Sequence, residues 1–211
     1  MVSNIYDVKK GEPLIKMLDN NFKVKSDCVI RILQSRLKRI NEQLSKQHKR
    51  NIIKNYSARI KSVESTKQKL NKKGYDETYE MALEKINDLV GVRAVCFYLD
   101  DLYEVANCLN EFHEIKVIEI KDYIKRPKSS GYRSLHLIVQ VLIYFQNSLQ
   151  WVKAEVQLRT ITMDHWAKLD HRLRYKCGNI QEEQIDEHFK KYSRLLQDID
   201  KRLIKFRDKR C

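Results

Sequence analysis

Lys153-Ala154-Glu155-Val156-Gln157-Leu158-Arg159-Thr160 alternates polar and apolar side chains along most of its length. Successive side chains of a strand point to opposite faces. Lys153, Glu155, Gln157 and Arg159 then share one face, and Ala154, Val156 and Leu158 the other. One face suits a core; the other lines up a cation, a carboxylate, an amide and a guanidinium. Upstream, Gly131-Tyr132-Arg133-Ser134-Leu135-His136-Leu137-Ile138-Val139 alternates too, with Leu135, Leu137 and Val139 on one side and Tyr132, Ser134 and His136 on the other. Two strands that each give a face to polar groups suggest a site, although from alternation alone a merely solvated face is equally open.

Working outward, helical spacing predicts a short helix over 12–20 and a longer one over 25–50, with Val29, Ile30, Leu33, Leu37, Ile40 and Leu44 on one stripe. Ala58-Arg59-Ile60-Lys61 reads as a short strand. Ser62 reads as the N-cap of a helix that runs to about Lys73 and is closed by Gly74. Further helices are expected over 77–86, 100–112, 160–176 and 181–208, with Gly178 breaking the last two apart. Strands are expected over 88–98 and 115–123, followed by a basic loop, Lys125 to Gly131, and a turn over 145–150. The sum is an α+β domain with a mixed five-stranded sheet flanked by helices. Its parts are a basic helical region (1–55), a sheet domain (56–178) and a C-terminal helix (179–211).

With 211 residues, 42% of them hydrophobic and 33% charged, the chain is expected to form one core with helical additions. No apolar run is long enough to span a bilayer, and Met1 to Lys10 lacks an apolar signal segment, so a cytoplasmic location is expected. The five cysteines form no Cys-x-x-Cys pair and read as free thiols, with Cys96 and Cys108 in apolar runs. The net charge of +14 is uneven: residues 1–75 hold 19 Lys and Arg against 6 Asp and Glu. Arg31, Arg36, Lys38, Arg39, Lys46, Lys49 and Arg50 lie on or just after the long first helix. Such a surface attracts polyanions or an acidic partner, unless it is only a solvated helix face.

Asp88 and Glu155 are carboxylates on separate expected strands. If they meet, they can bind one Mg²⁺, which prefers oxygen ligands and substrate phosphates. There is no Gly-x-x-x-x-Gly-Lys-Ser/Thr, so side chains would have to hold any phosphates. Arg59, Lys61, Lys69 and Arg93 are candidates on one side, and Lys121, Lys125 and Lys128 on the other. Tyr132 is placed to stack on a base. The histidines have no ligand-like spacing with cysteine, which argues against zinc.

The motifs resemble the synthetase domain of the RelA/SpoT family, particularly its small alarmone synthetases. The matching pieces are Arg59-Ile60-Lys61-Ser62 with Ser65 and Lys69, then Asp88-Leu89-Val90-Gly91-Val92-Arg93 and Lys121-Asp122-Tyr123-Ile124. Gly131-Tyr132-Arg133-Ser134-Leu135-His136, Glu155-Val156-Gln157-Leu158-Arg159-Thr160 and Trp166-Ala167 through His171 to Tyr175-Lys176 complete the set. The resemblance implies a nucleotidyltransferase-like fold and a pyrophosphokinase that moves the β,γ-diphosphate of ATP to the ribose 3′-hydroxyl of GDP or GTP. By the same resemblance, Arg59 and Arg93 would sandwich adenine, and Lys61, Lys69 and Ser65 would hold the ATP phosphates. Asp88 and Glu155 would hold Mg²⁺, with Glu155 also activating the hydroxyl. Tyr132 would stack on guanine, mainly through its ring, with Lys121, Lys128, His136 and Gln157 near the acceptor nucleotide. The sequence carries no His-Asp hydrolase motif, so the chain is expected to make product and not degrade it.

Two features depart from the family pattern: His165 stands where many relatives have Phe, and the N-terminal region is unusually basic. Related toxins modify the 3′ end of tRNA and are neutralised by an antitoxin. The basic helix keeps that alternative acceptor, and such a partner, open. A non-catalytic RNA-binding module is a further alternative, against which the Asp88/Glu155 pair argues. A homo-oligomer through the C-terminal stripe is also open.

Overall fold

The computed structural model describes residues 11–176 and 182–209. A 3₁₀ turn, Leu14–Leu18, leads into α1 (Asn20–His48), β1 (Ile53–Ile60), α2 (Val63–Lys72) and α3 (Tyr79–Lys85). There follow β2 (Val90–Cys96), α4 (Leu99–Leu109), β3 (Ile115–Asp122), β4 (Leu135–Phe145), β5 (Ser148–Thr160), α5 (Ile161–Lys176) and α6 (Glu182–Asp208). The five strands form one mixed sheet in the order β1-β2-β5-β4-β3, with β2 and β5 parallel and the other pairs antiparallel. The fold is the mixed five-stranded α+β architecture expected from the sequence.

α1 buries Val29, Leu33, Leu37, Ile40 and Leu44, each at most 2% exposed, in one cluster with Val92, Ala94, Leu135, Leu137, Val139, Val156 and Leu158 of the sheet. Burying such side chains contributes about 1.5–3 kcal/mol each, so α1 is a wall of the core. The Asp19 carboxylate caps its start by accepting from the amide of Asn21, and Lys49 ends it in the left-handed region. A second cluster, with Met17, Phe22, Leu70, Leu83 and Leu89, packs α2, α3 and the 3₁₀ turn together.

Three cations of the basic helix are engaged inside the protein. Arg36 pairs with Glu114 and, like Arg39, lies over the ring of Phe112. Arg50 makes a two-pronged pair with the buried Asp101 and lies 4.8 Å from the ring of Tyr98. These contacts tie α1 and its C-terminal end to α4 and the loops around it.

Several boundaries differ from expectation. β1 begins at Ile53, five residues before the alternation at Ala58, because edge pairing with β2 extends a segment whose side chains are mostly exposed. β4 begins at Leu135 and not Gly131; Gly131 has φ +92, and the Ser134 hydroxyl bonds to the carbonyl of Leu158 instead. The expected six-residue turn is a two-residue hairpin, Gln146-Asn147, with φ +47 and +60, so β5 runs for 13 residues. Positive φ at both turn residues matches the right-handed twist of the flanking strands. The helices expected over 12–20 and 100–112 shorten to the 3₁₀ turn and to α4. Cys96 is buried, whereas Cys108 is only half-buried. Gly178, Cys177, Cys211 and Met1 to Lys10 lie outside the described residues. Among the described residues, no helix is long and apolar enough to cross a membrane.

Candidate active site

The register of the sheet assembles the site. Arg93, Gln157, His136 and Lys121 are successive partners across β2, β5, β4 and β3, while Arg59, Gly91 and Glu155 form the neighbouring row across β1, β2 and β5. A cleft of about 220 Å³ lies over this face, lined by Arg59, Asp88, Gly91, Arg93, Glu155 and Gln157 among others. Gly91 lines this cleft, and a Cβ there would stand 3.8 Å from Cγ of Arg59.

Asp88, just ahead of β2, is the centre of the cationic half. Its Oδ1 accepts from Lys69 Nζ at 2.8 Å, its Oδ2 accepts from Lys61 Nζ at 3.1 Å, and Arg59 lies at 3.6 Å. Local structure explains the convergence. The amide of Lys61 bonds to the carbonyl of Leu89, which holds the end of β1 beside Asp88. Ser62 caps α2, its hydroxyl accepting from the amide of Ser65, and the helix then carries Lys69 one turn beyond Ser65. The Ser65 hydroxyl meets that of Ser62 at 2.9 Å. Burial pushes the Asp88 carboxyl up, but hydrogen bonds and charge from Lys69 and Lys61 outweigh it and hold the group below the usual carboxylate range.

Glu155, in the middle of β5, is held without a cationic clamp. His136 Nδ1 lies 2.9 Å from its Oε1, and Gln157 Nε2 donates to its Oε2 at 2.6 Å. Burial again pushes the carboxyl up, and the bonds from His136 and Gln157, together with the imidazole's charge, carry it below its ordinary value against the opposing charge of Asp88. The chain of contacts continues: His136 Nε2 lies 2.8 Å from the Tyr132 hydroxyl, which accepts from Arg159 at 2.9 Å. A carboxylate only accepts and a guanidinium only donates. Nδ1–H therefore donates to Glu155 and the Tyr132 oxygen accepts from Arg159, while the sense of the Tyr132–Nε2 bond follows the protonation of the ring. Arg159, 5% exposed, also bonds to Gln157 and to Asp164 of α5.

Tyr132 sits edge-on against Tyr123, His136 and Trp166, with ring centres 5.8–6.1 Å from its own. Lys128 lies 5.1 Å from its ring and 4.9 Å from that of Tyr123. Desolvation lowers the pKa of Lys128, with Lys69 and Lys121 adding to the effect and Glu155 and Asp88 opposing it. Arg93 reaches Gln157 at 3.4 Å and Asp164 at 3.5 Å, and its buried Nε has no acceptor among the described residues.

The structure thus brings together Arg59, Lys61, Lys69, Asp88, Arg93, Lys128, Tyr132, His136, Glu155 and Gln157, with Ser65 at the start of the helix carrying Lys69. Lys121 shares the face but pairs with Glu119. Lys125 does not join them: its ammonium lies 3.8 Å from Asp122 and 5.5 Å from the ring of Tyr103, on α4. The amides of Ile124 and Lys125 both bond to Asp122, and this turn aims the side chain elsewhere. Arg159, Asp164, Tyr123 and Trp166 had no role assigned from sequence. Alternation did place Arg159 on the polar face, and the matched motifs contain Arg159, Tyr123 and Trp166 without giving them a role. His165 is exposed on α5.

Residues 58–180 match the model of a region found in RelA and SpoT proteins. The chain is 36% identical over 172 residues to the GTP pyrophosphokinase YwaC of Bacillus subtilis, covering 82% of each protein. It is 35% identical over 127 residues to the GTP pyrophosphokinase YjbM of the same organism, covering 60% of this chain and 59% of that one. Among solved structures, small alarmone synthetase 1 of Bacillus subtilis bound to its product pppGpp superposes with a TM-score of 0.81 at 27% identity, covering 92% of this chain and 98% of that one. Small alarmone synthetase 2 of the same organism gives 0.78 at 32% identity, covering 90% and 97%.

Proposed function

The chain belongs to the RelA/SpoT family, and from that premise we propose that it is a pyrophosphokinase of the GTP diphosphokinase type. It moves the β,γ-diphosphate of ATP to the ribose 3′-hydroxyl of GDP or GTP, making (p)ppGpp and releasing AMP. The observation that carries this reading is the meeting of Asp88 and Glu155 on one cleft, with cations on one side and a stacking ring on the other.

Arg59 and Arg93 flank the adenine. Lys61 and Lys69, with Ser65 at the start of α2, hold the ATP phosphates, and the phosphates relieve them of their pairing with Asp88. Tyr132 stacks on the guanine, and Lys121 and Lys128 stand beside the acceptor's phosphates. The 3′-hydroxyl oxygen attacks the β-phosphorus while the bond from that phosphorus to the α-phosphate oxygen breaks. AMP leaves, and the hydroxyl proton passes to Glu155, whose direction His136 and Gln157 fix.

The donor set fits Mg²⁺. Two carboxylates line one cleft and repel each other across it, offer oxygen only, and leave further ligand positions for phosphate oxygens and water. Asp88 and Glu155 would hold the ion, which when bound supplies charge neutralisation for the transferring diphosphate.

Residues 56–178 form the synthetase domain in this reading, with 1–55 and 179–211 as helical extensions, and the protein works in the cytoplasm. The exposed Leu195, Ile199, Leu203 and Phe206 of α6 suit a homo-oligomer. A tRNA acceptor, or an antitoxin on the basic N-terminus, is weaker, because the relatives are GTP pyrophosphokinases and Arg36 and Arg50 are already paired with carboxylates within the protein. The test is incubation with γ-labelled ATP and GDP, GTP or tRNA in turn. Label on GDP or GTP is expected. Label on tRNA alone selects the other acceptor, and no labelled product removes the enzyme reading.

A further inference from the structure

α6 lies beyond the family-matched residues 58–180, yet it grips the segment that carries Tyr132. Ser193, 4% exposed, stands at the contact. Its hydroxyl donates to the carbonyl of Gly131 at 2.6 Å and accepts from Nε of Arg133 at 3.2 Å. These are the two residues on either side of Tyr132. One turn earlier on α6, the carbonyl of Phe189 accepts from the indole nitrogen of Trp166 at 3.0 Å, and the two rings meet edge-on at 5.4 Å. Trp166 is in turn a wall of the Tyr132 ring. Two turns later than Ser193, Asp200 accepts from the hydroxyls of Thr160 at the end of β5 and Thr162 at the start of α5.

The fit leaves no slack. A Cβ on Gly131 would stand 3.1 Å from the Cα of Lys190, 3.1 Å from the Cβ of Ser193 and 3.3 Å from the carbonyl oxygen of Phe189. Most of these are backbone atoms of a helix, which cannot move aside singly. Gly131 also has φ +92, which a side chain rarely adopts. The Gly131 loop has no strand pairing of its own, since β4 begins only at Leu135. Within the loop the amide of Gly131 bonds to the carbonyl of Lys128 and the amide of Lys128 to the carbonyl of Tyr132, and α6 adds its hold from outside.

We propose that Ser193 is a positioning residue for the acceptor: it fastens the Gly131–Arg133 segment to α6 and so fixes the Tyr132 ring on which the acceptor base stacks. This rests on the reading of Tyr132 as the acceptor platform. Nothing in the contact touches Arg59, Lys61, Lys69 or Asp88. The effect therefore falls on one substrate, which a general loss of structure would not do.

The test is steady-state kinetics of Ser193→Ala with ATP and GDP varied separately, alongside Tyr132→Ala. The variant loses two hydrogen bonds and no packing volume beyond one oxygen. We expect the KM for GDP to rise roughly threefold to tenfold, the worth of about one net hydrogen bond, with the KM for ATP within about twofold of wild type. Trp166→Phe, which removes the bond to Phe189 but keeps a ring, is expected to show the same split and serves if Ser193→Ala does not fold. Unchanged values, or equal rises in both, overturn the proposal. If that occurs while Tyr132→Ala still raises the KM for GDP, the role of Tyr132 stands and only the role of Ser193 falls. If Tyr132→Ala leaves the KM for GDP unchanged, the platform reading falls and takes this one with it.

Discussion

Asp88 and Glu155 are the same functional group in two different settings. Asp88 accepts from two lysines with an arginine beside them; Glu155 accepts from an imidazole and an amide, in a chain that ends at a buried arginine. Both carboxyls lie below their ordinary range, but for different reasons. The Asp88 half is built from long cationic side chains at one strand end and on one helix. Its pairs are the ones that incoming phosphates can take over. The Glu155 half is built from side chains on paired strands, and its carboxylate accepts from donors that the strand register holds in place. The first half suits binding a polyanion and the second suits holding a base still.

The sharpest way to break this comparison is Glu155→Gln. The shape is kept, while the charge that takes the proton is lost. We expect transfer to fall by about 10²–10⁴-fold, with an unchanged circular dichroism spectrum. Wild-type turnover would show that Glu155 is not at the chemistry.

Asp88→Asn comes next, and should differ in kind. Three cations lose their counter-charge, so the free protein should be destabilised by about 1–3 kcal/mol. Addition of ATP should then raise the melting temperature of this variant more than that of wild type, because phosphates replace the lost carboxylate. Equal shifts would mean that Lys61 and Lys69 do not meet the phosphates.

Tyr132 sharpens the comparison within the Glu155 half. From sequence its ring was expected to dominate; the structure puts its hydroxyl between His136 and Arg159. Tyr132→Ala should weaken GDP binding by about 1–3 kcal/mol, the worth of base stacking. Tyr132→Phe should keep most of that binding, yet lower kcat by about tenfold, since partners that orient an active group typically matter by that order. A wild-type kcat in Tyr132→Phe would return the whole role to the ring.

The smallest expected effect is on pH dependence. Both carboxyls have folded pKa values below their unfolded ones. Their contribution to stability is thus fully present above the ordinary carboxylate range and is lost as pH falls through the depressed values. Lys128 has the opposite consequence: its pKa is lowered, so its cation is lost on the alkaline side earlier than an ordinary lysine's. The KM for GDP should therefore rise at high pH before the KM for ATP does. Rises at the same pH would separate Lys128 from the acceptor.

Much of this was legible in the chain because the signals are local. Alternation put Glu155, Gln157 and Arg159 on one face, Ser62 announced a helix start, and the stripe of Val29, Leu33, Leu37, Ile40 and Leu44 announced a buried helix; all depend only on neighbours along the sequence. Motif order supplied the family and, with it, the site residues. What the sequence could not supply was partnership between segments far apart. The parallel pairing of β2 with β5 sets Gly91 beside Glu155 and Asp88 across the cleft. The hydroxyl of Tyr132 is claimed by Arg159, Lys125 is turned aside by Asp122, and α6 is seated on Gly131. α1 and α6 carry similar stripes, yet one is sunk in the core while Leu195, Ile199 and Leu203 of the other face solvent. Periodicity fixes which face of an element is apolar, but the face it meets depends on long-range packing of the whole sheet, which no local pattern encodes.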